Sequence, residues 1–276
     1  INNLNIENVF VSEHVNMSTD TNYSVLCGYM NKTTKISNCH ANNCKILVWN
    51  GIYSNLYKIY RIGGLVGYVR DTSSVNNCSL INSFIDVYGN PTLGGLIGGC
   101  DSTTNFTNSY CDVKINYQMS TNSGLIGELR GFSGTANITN CYSINTIKVK
   151  NFLNGNVSGF AYNGTITNCY VITDIDIEIN NTSNNVYVHG FSSGSTDKIN
   201  CFVNPNITYK ITKKTGTINI GNFSGYSSNK TNNYVVDNSI TNMGSIAATN
   251  IYYGSSYYNL LNAYQFRNGY VCNNLN

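Results

Sequence analysis

Three carboxylates stand two residues apart at Asp174, Asp176 and Glu178, interleaved with Ile175, Ile177 and Ile179. That alternation puts the acids on one face of a strand and the isoleucines on the other. Carboxylates so placed can bind calcium, and a pair of them can run glycoside hydrolysis. Lys148, Lys150 and Lys210 fall near the same register in neighbouring segments, so a solvated face of mixed charge explains the acids equally well. Histidines 14, 40 and 189 each belong to a different part of the chain. The nearest approach to a metal motif is Cys39-His40 with Cys27 and Cys44. Structural zinc sites use tighter pairs such as Cys-x-x-Cys, so disulfide pairing is the better reading of these thiols. No nucleophile elbow, P-loop or dinucleotide fingerprint occurs, and neither catalytic residues nor a metal or cofactor are expected.

The cysteines recur in step. Cys39, Cys78, Cys141, Cys169 and Cys201 each follow an asparagine, and Ser109 interrupts the series. Stacked thiols make a compact small-residue core, yet equivalent positions of stacked strands lie about 4.8 Å apart, within disulfide reach. A mixture of free thiols and at least two bridges is expected, with Cys100 and Cys111, which flank one loop, the best single pair. Thirteen Asn-x-Ser/Thr sequons also occur, at Asn16, Asn22, Asn31, Asn77, Asn105, Asn137, Asn156, Asn163, Asn180, Asn181, Asn206, Asn222 and Asn229. Asn31, Asn105 and Asn163 are placed in loops where a glycan could stand in water, whereas Asn77, placed on a strand, is a poorer acceptor.

The elements that must carry these residues form a repeat. Gly63-Gly64-Leu65-Val66-Gly67 is followed by Asn77-Cys78, Gly94-Gly95-Leu96-Ile97-Gly98 by Asn108-Ser109, and Ser123-Gly124-Leu125-Ile126-Gly127 by Asn140-Cys141. Degenerate copies centre on Cys27-Gly28, Gly159-Phe160, Gly190-Phe191 and Asn222-Phe223, giving seven copies with a period of roughly 30 residues. Each repeat reads as a glycine strand, a short Asn-Cys strand and an alternating strand such as Val113, Ile115, Tyr117, Met119. Propeller blades are longer and need hairpins, so the pattern predicts an all-β, right-handed parallel β-solenoid of about seven triangular coils, roughly 34 Å long. Leu65, Leu96, Leu125, Phe160, Phe191 and Phe223 are predicted to stack as one buried column. Residues 1–23 read as the first strands or an N-terminal coil, 24–240 as the repeats, and 241–276 as a Tyr-rich cap that could instead be an aromatic contact surface.

Those Gly-Leu-x-Gly elements, with Asn77-Cys78-Ser79 and Asn140-Cys141-Tyr142, resemble the GLUG repeats of surface proteins and adhesins, over about four fifths of the chain. The resemblance implies a secreted β-helical repeat with a surface or adhesive role and carries over no catalytic residue. Composition points the same way. Ten cysteines and many sequons suit an oxidising, extracellular setting. Net charge is +3 without a basic run, which argues against nucleic acid, and no 18-residue apolar stretch suggests a membrane span. With only 11% charged residues there is little self-repulsion, and the first coil is read as uncapped, so head-to-tail association into a filament is expected. The expected function is a structural or adhesive glycoprotein of the cell surface; the alternative is a polysaccharide-binding or polysaccharide-cleaving β-helical enzyme.

Overall fold

The computed structural model describes residues 1–14, 21–49, 60–120, 127–180, 185–194, 197–224, 230–236, 240–252 and 259–261. These are all-β, with every strand pairing parallel, in sheets of eighteen, eight, three and two strands stacked as a β-solenoid of about seven turns. One coil shows the plan. Strand Tyr60–Gly63 turns sharply through Gly64-Leu65 into Val66–Val69, and a short loop leads to Ser74–Asn76. Asn77 bends the chain, and the long strand Ser79–Tyr88 completes the turn. Each coil therefore has four strand segments rather than three. The glycine motif is a corner and not a strand, because the chain doubles back within it. A Cβ on Gly63 would lie 1.8 Å from Val66 O, and one on Gly64 would lie 2.3 Å from Gly95 O on the next coil.

The leucine or phenylalanine of that corner points into the core. Leu65, Leu96, Phe132, Phe160, Phe191 and Phe223 are joined coil to coil by backbone hydrogen bonds of 2.8–3.1 Å. The four phenylalanine rings stack with centroids 4.8, 5.2 and 4.7 Å apart. Phe132 thus occupies the place predicted for Leu125, which lies outside the described residues. Gly94 pairs with Arg130, so the third corner is Gly131-Phe132-Ser133, and the Gly-Leu motif before it is not the structural equivalent. The long strands alternate as predicted: Val113, Ile115, Tyr117 and Met119 are buried, as are Ile175, Ile177 and Ile179.

The Asn-Cys pair is a second corner. Asn38, Asn77, Asn108, Asn140, Asn168, Asn200 and Asn232 all adopt φ between 50° and 55°, a left-handed conformation that asparagine tolerates better than most residues. Their amides hydrogen bond from coil to coil: Nδ2 donates to Oδ1 at 2.7 Å from Asn77 to Asn38, at 3.2 Å from Asn140 to Asn108 and from Asn168 to Asn140, at 3.0 Å from Asn200 to Asn168, and at 3.2 Å from Asn232 to Asn200. Asn108 instead donates to Asn76 Oδ1, at 3.2 Å, next to Asn77. A shorter ladder of the same kind joins Asn43 to Asn8 at 2.7 Å.

Parallel pairing runs through both flanks. Asn2–Glu7 and Phe10–His14 pair with Lys35–Asn42 and Lys45–Trp49. Beyond residue 240, where the sequence loses its period, Ile240–Asn242, Asn250–Tyr252 and Asn259–Leu261 still pair with the preceding coil. Of the aromatic cluster read as a cap, Tyr253, Tyr257, Tyr258, Tyr264, Phe266 and Tyr270 lie outside the described residues.

Candidate functional site

The disulfides expected from the cysteine spacing are absent among the described residues: Cys27, Cys39, Cys44, Cys78, Cys100, Cys111, Cys141, Cys169 and Cys201 are free thiols. The left-handed asparagine explains why. It takes the backbone out of the regular ladder, and the next N–H needs another acceptor. The small polar side chain on the following coil supplies it. Cys78 N donates to Ser109 Oγ at 3.1 Å, Ser109 N to Cys141 Sγ at 3.4 Å, Cys141 N to Cys169 Sγ at 3.4 Å and Cys201 N to Asn233 Oδ1 at 2.9 Å. Thiols of this column also donate to the carbonyl two residues earlier, as Cys39 does to Ser37 O at 3.2 Å and Cys169 to Thr167 O at 3.1 Å. Ser109 is therefore a working member of the column rather than a break in it. Burial pushes the Cys78 thiol up to about 11 and those of Cys141 and Cys201 up to about 12, so these are inert groups. Cys100 and Cys111 point to different neighbours: Cys100 Sγ lies 3.0 Å from Thr135 O, and Cys111 Sγ, buried in the core, lies 3.2 Å from Gly131 O.

The sequons divide by position. Asn31 is an exposed turn residue. Asn105, Asn137 and Asn206 are exposed but lie on strands rather than in loops. Asn156 and Asn163 are half-buried on strands. Asn222 is 2% exposed and presents no amide to a glycosyltransferase. Asn77 belongs to the asparagine ladder, and Asn181 and Asn229 fall outside the described residues.

Asp174, Asp176 and Glu178 do share the outer face of the long-strand sheet. Coil pairing sets Asp176 between Lys148 and Thr208, and Glu178 beside Lys210. Asn206 Nδ2 donates to Asp174 Oδ1 at 3.1 Å. Hydrolysis needs two carboxyl groups flanking one bond, whereas these project side by side from a single strand among cations and amides. A depression of about 380 Å³ lies between Asp86, Lys148, Lys150, Asp176 and Glu178. Along the same face Tyr110, Tyr142 and Tyr170 stack at 4.6 and 4.7 Å with planes 7° and 3° apart. Their faces cover one another, leaving ring edges toward solvent beside the exposed Ile144 and Ile172.

A second, smaller depression lies elsewhere, where strands such as Tyr60–Gly63 and Val66–Val69 diverge from the glycine corner. One wall is the row Arg61, Thr92, Glu128 and the other the row Tyr68, Gly99, with Gly134 and Tyr162 on the following coils. The groove encloses about 280 Å³. Arg61 lays its guanidinium 3.8 Å from the Tyr68 ring centre, and Arg130 lies 5.0 Å from that of Tyr162. Arg130 Nη2 pairs with Glu128 Oε2 at 2.9 Å, and Thr92 Oγ1 donates to that oxygen at 3.3 Å. Tyr68 donates to Asp101 Oδ1 at 2.6 Å, and burial, then that bond, push its phenol up to about 12. Arg130 is in register with Ser158 and His189, which continue its row out of the groove. Burial and then Lys198 push His189 down to about 3, and among the described residues neither ring nitrogen has a hydrogen-bond partner.

None of the groove residues stands out in the sequence, since they are drawn from four successive coils. One signal exists: three residues after the corner leucine stand Tyr29 and Tyr68 in two copies but Gly99 in the next, and two residues after the corner phenylalanine stand Gly134 and then Tyr162. Among the described residues no three His, Cys, Asp or Glu side chains group as metal ligands, and no helix is long and apolar enough to cross a membrane. Compared with protein families, with curated proteins and with solved structures, the chain matches none.

Proposed function

We propose that this chain is a rigid structural and adhesive module of an extracellular surface glycoprotein, akin to the GLUG repeats its corner motif resembles. The observation that supports this reading most is the long-strand face. Successive coils there present Tyr110, Tyr142 and Tyr170 in one row and Asp86, Asn116, Lys148 and Asp176 in another, each residue paired with its equivalent on the next coil. Such a face offers a partner many weak, identically spaced contacts, whose sum gives avidity. Glycans on exposed acceptors such as Asn31, Asn105 and Asn137, and head-to-tail association of rods, belong to the same proposal. The test is retention of the purified chain on intact cells or extracellular matrix under flow. A variant with Tyr142→Ser and Lys148→Glu should detach at several-fold lower shear. Equal retention of the two proteins would remove the adhesive reading, and sedimentation over a range of concentrations would read the association.

A further inference from the structure

The corner groove lies on another face, and its properties are independent of adhesion by the long-strand face. From Tyr29 through Tyr68 the outer row beside the corner is aromatic, the two rings stacking at 5.7 Å. Gly99 follows Tyr68 in that row, Gly134 lies against Gly99 on the next coil, where its Cβ would be 3.6 Å from Gly99 Cα, and Tyr162 follows Gly134. Two missing side chains leave a notch about two coil spacings, roughly 10 Å, long. The notch is not idle backbone. A Cβ on Gly99 would lie 2.8 Å from Arg61 Cδ, so the glycine lets Arg61 lie across it onto the Tyr68 ring.

The charges are unequal. Arg130 is buried and already paired with Glu128. Arg61 is half-exposed and, among the described residues, meets no carboxylate within ion-pairing distance. Its planar guanidinium is held by the ring with its donor fork unspent, an arrangement suited to a carboxylate. Within the same groove Glu128, 32% exposed on its side chain, can accept from hydroxyls, and Thr92 and Thr135 can exchange hydrogen bonds with them. A cation held on a ring, a carboxylate acceptor, small hydroxyls and flanking aromatic rings match a polyhydroxylated ring bearing an acid. We propose that the notch between Tyr68 and Tyr162 is a binding subsite for a carboxylate-bearing sugar residue, its acid on Arg61 and its hydroxyls on Glu128 and Thr92.

The experiment is calorimetric titration of the chain with trigalacturonate, with sialyllactose, with neutral galactose trisaccharide and with sodium acetate. At least one acidic sugar should bind, and added salt should weaken it. Which of the two binds more tightly identifies the source, a uronate polymer or a sialylated glycan. Arg61→Gln should weaken that sugar about ten- to hundredfold, the range of a charge-assisted hydrogen bond, and Arg61→Lys should recover only part of it. Gly99→Leu should abolish binding by filling the notch. Because Arg61 is half-exposed, Arg61→Gln should keep the thermal transition of the parent chain and so read the site rather than the fold. Neutral and acidic trisaccharides binding alike, acetate displacing the sugar at equal concentration, Arg61→Gln binding as the parent does, or no acidic sugar binding at millimolar concentration would each overturn the proposal.

Discussion

Replacing Cys141 separates two accounts of the thiol column. The side chain is 1% exposed, accepts from Ser109 N at 3.4 Å and donates to Thr139 O at 3.3 Å. Cys141→Val keeps volume and apolarity but removes the acceptor. Thr139 O retains the N–H of Asn108 at 3.1 Å, so the orphaned group is the buried Ser109 N–H. Leaving such a donor unpaired costs about 1–3 kcal/mol. Cys141→Ser keeps both bonds, and the column already accommodates Ser109 one coil away, so its cost should stay below about 1 kcal/mol. Were the cysteines only hydrophobic filler, the order would invert, because valine is the more apolar residue. Solenoid coils can open locally, so the assay is amide exchange at Ser109 rather than a global melt. Exchange in Cys141→Val should be roughly five- to hundredfold faster than in the parent, with Cys141→Ser nearly unchanged. Faster exchange in the serine variant than in the valine variant would refute the reasoning.

The asparagine corner predicts that Asn168→Ala loses about 1–2 kcal/mol for its left-handed backbone plus the ladder bonds on both sides, while Asn168→Gly keeps the backbone and loses only the bonds; urea titration of the two should rank glycine above alanine. His189, pushed down to about 3 by burial, is neutral in the fold and takes up a proton only on unfolding. Its contribution is therefore complete above the unfolded value near 6.5 and falls as the pH drops from there toward 3, by at most about 1.4 kcal/mol per pH unit. Denaturation midpoints of His189→Leu measured between those limits should show a shallower pH slope than those of the parent.

The inward side of the rod was legible because it depends on a period of two. Val113, Ile115 and Tyr117 needed only alternation to be placed in the core, and Leu65 and Leu96 only an apolar residue between glycines. Leu125 misled because the third coil carries extra residues before its corner; Gly131-Phe132 matches Gly159-Phe160 and Gly190-Phe191 and marks the true register. The Asn-Cys corner looked like a strand because a left-handed residue leaves no periodic trace, and without the corner the thiols looked like disulfide partners. The carboxylates of one strand were visible as a run. The groove was hidden because Arg61, Thr92 and Glu128 come together only through stacking.

The asparagine ladder has a direction. In rung after rung Nδ2 donates toward the lower-numbered coil, in two segments of the same direction that meet where Asn108 bonds Asn76, down to Asn38 donating to Asn2 Oδ1 at 3.0 Å. Amide dipoles aligned head to tail polarise one another and sum as peptide dipoles do along a helix. The rod thus carries a built-in electrical polarity along one edge, its donor pole toward the coil of Asn2 and its acceptor pole toward that of Asn232. Anions are favoured beside the first pole and cations beside the second.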